Sequence, residues 1–224
     1  MVSIIVPILN EEKEIVRLQK NLKNLKGDYE VIFSDGGSMD RTLELICPEF
    51  HVVQGKKGRG CQMNRAVEAA SGDILFFIHS DVGLESDVLL KIPEVVKNGE
   101  AVGYLKIRFD SGHILMKICG FMSSLRVRIR KIVFADQGLI IHRELFQKMG
   151  KMPEIPLMED YEFSIRMKKR RVPVVRMDSP ILVSARRFEQ KGMLRTMWQM
   201  QKYQVKYILG SNVEKLAREY ENIR

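Results

Sequence analysis

The strongest constraint on this chain lies in its first third, where short β-branched or aromatic runs alternate with segments of helical period. Residues 2–9 (VSIIVPIL), 29–34 (YEVIFS), 51–54 (HVVQ) and 73–78 (DILFFI) read as strands. Between them, Ile15, Leu18, Leu22 and Leu25 recur at helical spacing, a helix is predicted to start near Met39, and another covers residues 61–70. Apolar strands alternating with helices predict an α/β fold whose sheet is mostly parallel and covered on both faces. Ligands bind such sheets beyond the carboxyl ends of the strands. Three polar turns fall there, at residues 35–40, 56–60 and 79–81, and together they suit one nucleotide site.

The second half is less regular. A helix is expected over residues 87–97, a strand over 101–109, a basic amphipathic segment over 113–133, a strand over 138–142 and a helix over 143–150. A proline-containing loop, residues 151–158, leads to a helix over 160–171 and two short strands at 172–176 and 181–183. Two helices broken at Gly210 make up the tail. No repeat, linker or clean boundary interrupts the 224 residues, so one domain is expected: a donor half over 1–100, an acceptor half over 101–188 and C-terminal helices over 189–224.

Composition narrows the partners. At 45% hydrophobic and 29% charged, the chain can bury a core, which excludes disorder. The net charge of +9 suits an anionic partner, whether nucleotide, lipid surface or nucleic acid. The three cysteines, Cys47, Cys61 and Cys119, form no CxxC pair, so neither a disulfide framework nor a zinc ribbon is supported. That cysteine usage makes a reducing cytosol the expected location; with no basic region before the apolar start and no apolar run near the roughly 20 residues of a spanning helix, the protein is expected to be soluble or at most attached to a membrane surface.

Several residues carry candidate chemistry. Asp35 ends the second strand, where an acceptor-only carboxylate can take an N–H from a uracil or guanine edge, or Asp35 or Ser38 can cap the next helix. Lys56 to Gly60 joins cations to glycines ahead of a helix, a setting for ribose or phosphates or for a solvated turn. His79 and Asp81 fall on the same side of a strand end and flank Ser80, so both can face one divalent metal, Mn²⁺ or Mg²⁺, with Asp81 as the surer ligand. Arg186, Arg187 and Phe188 offer guanidiniums for diphosphate oxygens and an apolar platform, or a basic surface turn.

Taken in order, VSIIVPILNEEKEI, DGGSMDRT, KGRGCQMNRAVEAASGDILFFIHSD and PLMEDYEFSIRMKKR resemble the family 2 glycosyltransferases, which have the GT-A fold. HSD in place of the usual DxD, with DQGLIIHRELF and SARRFEQKG, resembles a compact bacterial and archaeal subgroup; the likeness runs from Val2 to about Leu209. The resemblance implies a metal-dependent inverting enzyme that moves a sugar from a UDP- or GDP-type donor to a hydroxyl acceptor, lipid-linked or polysaccharide. It implies Asp160 as catalytic base, and Pro7, Asn10, Glu11, Asp35, Lys56, Arg59, Asn64 and Ser80 around the donor. Asp136, Gln137, Glu159, Arg186, Arg187 and Phe188 fall to the acceptor or diphosphate, and Asp81 with His79 to the metal.

Two rivals remain open in the sequence. A nucleotidyltransferase would share the α/β layout, but its Gly-rich basic signature after the first strand is replaced by Asn10, Glu11 and Glu12. A basic module for nucleic acid or anionic lipid is allowed by the runs at 126–131 and 168–171, yet no nucleic-acid motif accompanies them, so no nucleic-acid partner is expected. The late helix sets Met193, Leu194, Met197, Trp198, Met200, Tyr203, Tyr207 and Ile208 among lysines and arginines. Such a face suits an anionic membrane on the cytoplasmic side, its own domain, or a second copy in a homodimer.

Overall fold

The computed structural model describes residues 1–96 and 98–221; Lys97, residues 222–224 and the side chains of Arg187 and Glu221 lie outside that description. Eight strands form one sheet: β1 (Val2–Ile8), β2 (Tyr29–Asp35), β3 (His51–Gln54), β4 (Ile74–Phe77), β5 (Val82–Leu84), β6 (Val102–Phe109), β7 (Leu139–His142) and β8 (Val174–Val183), in the order β3-β2-β1-β4-β7-β6-β8-β5. The helices are α1 (Ile15–Lys23), α2 (Arg59–Ala69), α3 (Val88–Val95), α4 (Ile114–Arg130), α5 (Arg143–Lys148), α6 (Glu159–Lys169), α7 (Arg186–Lys191), α8 (Met193–Ile208) and α9 (Val213–Glu221).

Strand alternation sorts the core into two layers. Ile4, Val6 and Ile8 of β1 face Leu18 and Leu22 of α1 and Val88 and Ile92 of α3. Ile5, with Leu75 and Phe77, faces Met63, Ala66 and Val67 of α2 and the Phe146–Phe163 pair. Both faces are therefore covered, as the unbroken apolar strands require. A fully buried side chain such as Leu18 contributes about 2 kcal/mol by leaving water. Arg143 closes the far end of α2, donating to the carbonyls of Val67 (2.8 Å), Ala70 (2.8 Å) and Gly72 (2.9 Å).

The parallel reading holds for β1–β2, β1–β4, β2–β3 and β6–β8, whereas β4–β7, β6–β7 and β5–β8 are antiparallel. The expected helix near Met39 does not form. Asp40 accepts from Thr42 N (3.0 Å) and Glu12 N (3.2 Å), and these side-chain bonds hold residues 41–45 as turns instead. The two strands expected at 172–176 and 181–183 are one, β8, which pairs with β6 through a register irregularity at Tyr104 and Lys106. β5 carries no sequence signal of its own; it exists because Gly83 pairs with Leu182.

The approach of α2 to the loop before α6 sets the site described next. A Cβ on Gly60 would lie 2.1 Å from the Pro153 carbonyl oxygen, which only glycine avoids. Gly60→Ala should therefore destabilise the protein by about 1–3 kcal/mol in urea unfolding. Gly112→Ala, which meets nothing within 4 Å, should stay within about 0.5 kcal/mol of the parent.

Candidate active site

The carboxyl ends of β1 and β2 are tied by one buried amide. Gln62 Nε2 donates to the carbonyls of Ile8 (2.8 Å) and Ser34 (2.7 Å). Asp35, 1% exposed, folds its own turn: Oδ2 accepts from Gly37 N (2.9 Å), and Oδ1 accepts from the Ser38 hydroxyl (2.6 Å). Asn10, in the left-handed region at φ 55°, spans the two strand ends; its N–H donates to Ser38 Oγ (2.9 Å) and its Oδ1 accepts from Met39 N (2.8 Å). Arg65 stiffens the same corner, donating to Ser34 Oγ (3.3 Å) and to the Asp35 carbonyl (3.1 Å).

Beyond β4, residues 78–81 turn into β5. The Asp81 carbonyl accepts from Arg17 Nη2 (3.0 Å) and Ser184 N (3.3 Å), which fixes the backbone at this turn. Ser80 is buried between half-buried His79 and Asp81. Because Phe77 pairs with Leu139 in antiparallel register, the short 3₁₀ turn over Ala135–Gln137 emerges beside that segment. Asp136 Oδ1 is buried there without a hydrogen bond. Burial pushes the Asp136 carboxyl up to about 6, Arg126 opposes this, and Asp160 and Asp81 add to it.

Glu159 and Asp160 open α6 directly after Met158, which is held at φ 67°. A non-glycine residue in this region is strained, and here the strain sits beside a carboxylate pair. Asp160 is anchored on both oxygens: Oδ2 accepts from Ala135 N (3.2 Å) and Oδ1 from Tyr161 N (2.8 Å). A carboxylate so held keeps a lone pair on each oxygen for a further donor. Glu159, 1% exposed, lies 2.6 Å from Arg59 Nε at the start of α2. Burial raises the Glu159 pKa, Arg59 pulls against it and Asp160 adds to it. Desolvation works against the Arg59 charge, but Glu159 and Asp160 outweigh it and raise the guanidinium pKa further.

Arg126 completes the back wall. Its guanidinium stacks 4.0 Å from the Phe134 ring centroid, and Nη2 donates to Gln137 Oε1 (2.6 Å). Gln137 Nε2 is buried with no acceptor. Tyr207 of α8 packs edge-on against Tyr161 at 5.6 Å between ring centroids, bringing the α8–α9 turn over the start of α6. A cleft of about 440 Å³ lies there, lined by Tyr161, Tyr207, Gly210 and Val213 among others. A larger cleft, about 580 Å³, opens at the amino ends of β1 and β4 near His142, the wrong end of the sheet for this chemistry.

The fold therefore gathers Asn10, Glu11, Asp35, Arg59, His79, Ser80, Asp81, Asp136, Gln137, Glu159 and Asp160 at one edge of the sheet. Pro7 lies in β1, half-buried, and Lys56 stands exposed on the loop before α2. Three expectations change. Asn64 is a bracket rather than an open ligand: its amide exchanges bonds with Met152 N (3.0 Å) and Met152 O (2.9 Å), and reaches Glu154 (3.0 Å). Phe188 is no open platform, because its ring is 6% exposed and packs edge-on to Phe109. Arg186, the first residue of α7, pairs with Glu14, the residue before α1, at 2.7 Å; the Arg187 side chain lies outside the described residues. Gln62, Arg65 and Arg126 were missed. Gln62 and Arg65 lie within the quoted motif at 57–81, as polar residues on a largely buried helix, whereas Arg126 showed only as the first residue of the basic run at 126–131.

Among the described residues, no three His, Cys, Asp or Glu side chains are grouped closely enough to cage a metal ion. The donor set still fits one. Mg²⁺ and Mn²⁺ sites commonly combine one or two carboxylates with substrate phosphates, and Asp81 and Asp136, the latter with an unbonded buried oxygen, stand within electrostatic reach of each other.

The model of glycosyl transferase family 2 matches residues 3–144. The chain belongs to that family, and it is a glycosyltransferase. A PGL/p-HBAD biosynthesis glycosyltransferase of Mycobacterium bovis is 26% identical over 181 residues, 74% of this chain and 69% of the relative. The β-monoglucosyldiacylglycerol synthase of Nostoc is 32% identical over 120 residues, 48% of this chain and 25% of the synthase. The fold is that of a mannosyltransferase from Pyrobaculum calidifontis solved with GDP-Man and Mn²⁺, at TM-score 0.72 and 18% identity over 95% of this chain; the chain spans 65% of that structure. S. aureus TarS with UDP follows at TM-score 0.61, 21% identity, and 81% and 57% coverage. These likenesses establish the GT-A arrangement.

The ion pair between α2 and α6 yields a stability prediction. Arg59→Met should cost about 3 kcal/mol, the low end for breaking a buried pair, because Arg59 is 34% exposed while Glu159 is 1% exposed. Adding Glu159→Gln should restore much of the loss in urea unfolding. Additive losses would mean that the pair is not coupled.

Proposed function

We propose that the chain is a metal-dependent, inverting glycosyltransferase that moves a sugar from a UDP- or GDP-type donor to a hydroxyl acceptor. The observation that carries this reading is the convergence of Asp81, Asp136 and Asp160, from three separate segments, beside Arg59 at the carboxyl edge of the sheet. The relatives support the donor class, since the Pyrobaculum enzyme was solved with GDP-Man and Mn²⁺ and TarS with UDP-GlcNAc. The single domain divides its labour: residues 1–100 take the donor and 101–188 the acceptor.

In this reading Asp35, Asn10 and Glu11 line the nucleotide end of the groove, with Pro7 beneath and Ser80 beside them. The buried Asp35 carboxylate folds the turn through Gly37 and Ser38, and that turn shapes the wall that meets the base edge. Lys56 and Arg59 flank the diphosphate from the α2 side, where the first-turn N–H groups of the helix also favour an anion. Asp81, with His79 and Asp136, would hold a divalent cation, Mn²⁺ or Mg²⁺, which supplies positive charge to the departing diphosphate. Gln137, fully buried, accepts from Arg126 and so holds that guanidinium behind the acceptor side of the groove.

Asp160 performs the proton transfer. Its two backbone anchors fix the carboxylate, and the acceptor hydroxyl gives its proton to one oxygen as it attacks the anomeric carbon. The new carbon–oxygen bond forms as the bond to the diphosphate breaks, and a single in-line displacement inverts the anomeric centre. No covalent intermediate is needed. The acceptor is a hydroxyl on a lipid-linked or polysaccharide molecule; a diacylglycerol product in the name of the Nostoc relative supports the lipid. No described helix is long and apolar enough to cross a membrane, and work at the cytoplasmic face of a membrane fits this reading.

Asp160→Asn should keep the fold and the rise in melting temperature given by a nucleoside diphosphate, yet lower turnover roughly 10²-fold or more. Full activity in Asp160→Asn would defeat the assignment. Asp81→Ala should lose the extra melting-temperature increase that Mn²⁺ adds to the nucleotide's own effect. An undiminished Mn²⁺ increment in that variant would remove Asp81 from the metal site.

A further inference from the structure

Helices α4 and α8 share an unusual arrangement: each turns an apolar stripe outward, opposite the side that packs on the core. On α4, Met116, Gly120 and Val127 are buried, while Ile114, Phe121 and Ile129 are 62%, 64% and 68% exposed. On α8, Thr196, Tyr203 and Gln204 are buried, while Leu194 and Trp198 are 67% and 63% exposed and Leu209, just past the helix end, is 79% exposed. Both stripes recur at helical spacing over the length of their helices, about 20 Å or more each. Surface helices normally do the reverse, so contiguous exposed apolar area of this kind calls for a covering partner.

Charge identifies the partner. Neither α4 (ILMKICGFMSSLRVRIR) nor α8 (MLRTMWQMQKYQVKYI) contains a single Asp or Glu, whereas Lys117 and Arg128 border the first stripe and Arg195 and Lys202 the second. Lys202 Nζ lies 5.1 Å from the Trp198 ring centroid. An apolar stripe with an aromatic ring and a wholly basic border matches an anionic bilayer surface, with side chains entering the acyl boundary and cations meeting the headgroups. The two helices pack on the same buried cluster, where Leu115 and Cys119 of α4 and Met193 and Met197 of α8 surround Phe188. Arg126, on α4 itself, reaches Gln137 in the candidate site.

We infer that α4 and α8 together form a docking face for an anionic lipid bilayer, which holds the enzyme in the interface with its acceptor side toward the membrane. The inference rests on the reading above and deepens it: the acceptor hydroxyl belongs to a molecule anchored in that bilayer. Its anchor stays in the lipid while its hydroxyl approaches Asp160.

Trp198 is the chain's only tryptophan, so its emission reports this face and nothing else. With vesicles of phosphatidylglycerol and phosphatidylcholine, the emission should move to the blue and the protein should co-sediment. With phosphatidylcholine alone, or in high salt, both effects should fall steeply. Lys117→Glu with Arg195→Glu, and separately Ile118→Ser with Phe121→Ser, should each weaken vesicle binding roughly tenfold or more. The nucleotide-induced rise in melting temperature should persist in both, which separates failure at this face from failure of the donor site. No emission change with anionic vesicles would overturn the inference, as would full binding by either variant pair. A blue shift that instead follows protein concentration without vesicles, with a dimer in sedimentation, would overturn it in favour of a second copy of the chain.

Discussion

A guanidinium from the first half of the chain neutralises a carboxylate from the second, and the rest of the site depends on that contact. Arg59 at the start of α2 meets Glu159 at the start of α6, 2.6 Å apart. Two adjacent acids at a buried helix start repel each other and pay for desolvation. The helix amino terminus offsets part of this, and Arg59 offsets much of the remainder. Asp160 is left as the anchored carboxylate facing the groove. The same few residues of α2 make the close approach at Gly60 and the Asn64 bracket on Met152, so one helix holds the loop before α6 by charge, by shape and by hydrogen bonding.

Three aspartates converge at this edge, and each has a different environment. Asp160 is fixed by two backbone N–H groups. Asp136 is buried, unbonded on one oxygen and raised to about 6. Asp81 sits at a strand end, held through its backbone carbonyl. Distinct surroundings are how one site assigns distinct work to identical side chains. A carboxylate fixed by two backbone N–H groups suits proton acceptance, and a second carboxylate pair beside an incoming diphosphate suits a cation.

The first half was legible because its physics is local. β-Branched runs and helical spacing define β1, α1, β2, α2 and β4, and the turns at their carboxyl ends had to meet once the sheet was parallel. The second half was less legible because its strands are made by pairing. β5 has no propensity of its own, and β8 read as two strands because its polar Asp178 and Ser179 interrupt the apolar pattern. The helix expected at Met39 lost to side-chain bonds from Asp40, which helical spacing does not reveal. Phe188 and Asn64 sit within the motifs that resemble the family but are spent on packing and bracing, a distinction only tertiary contacts make. The stripe on α8 and the amphipathic character of residues 113–133 were visible in sequence; that both stripes turn outward was not.

The central claim is a single displacement assisted by Asp160, and its most direct test is the stereochemistry of the product. With a donor that binds, proton NMR of the first-formed product, before any anomer can equilibrate, reads the configuration at the transferred carbon. The account predicts inversion: an α-linked donor gives a β-configured product. Retention of configuration would contradict it, because it requires either a second displacement or front-face attack, and Asp160 acting as a general base provides neither.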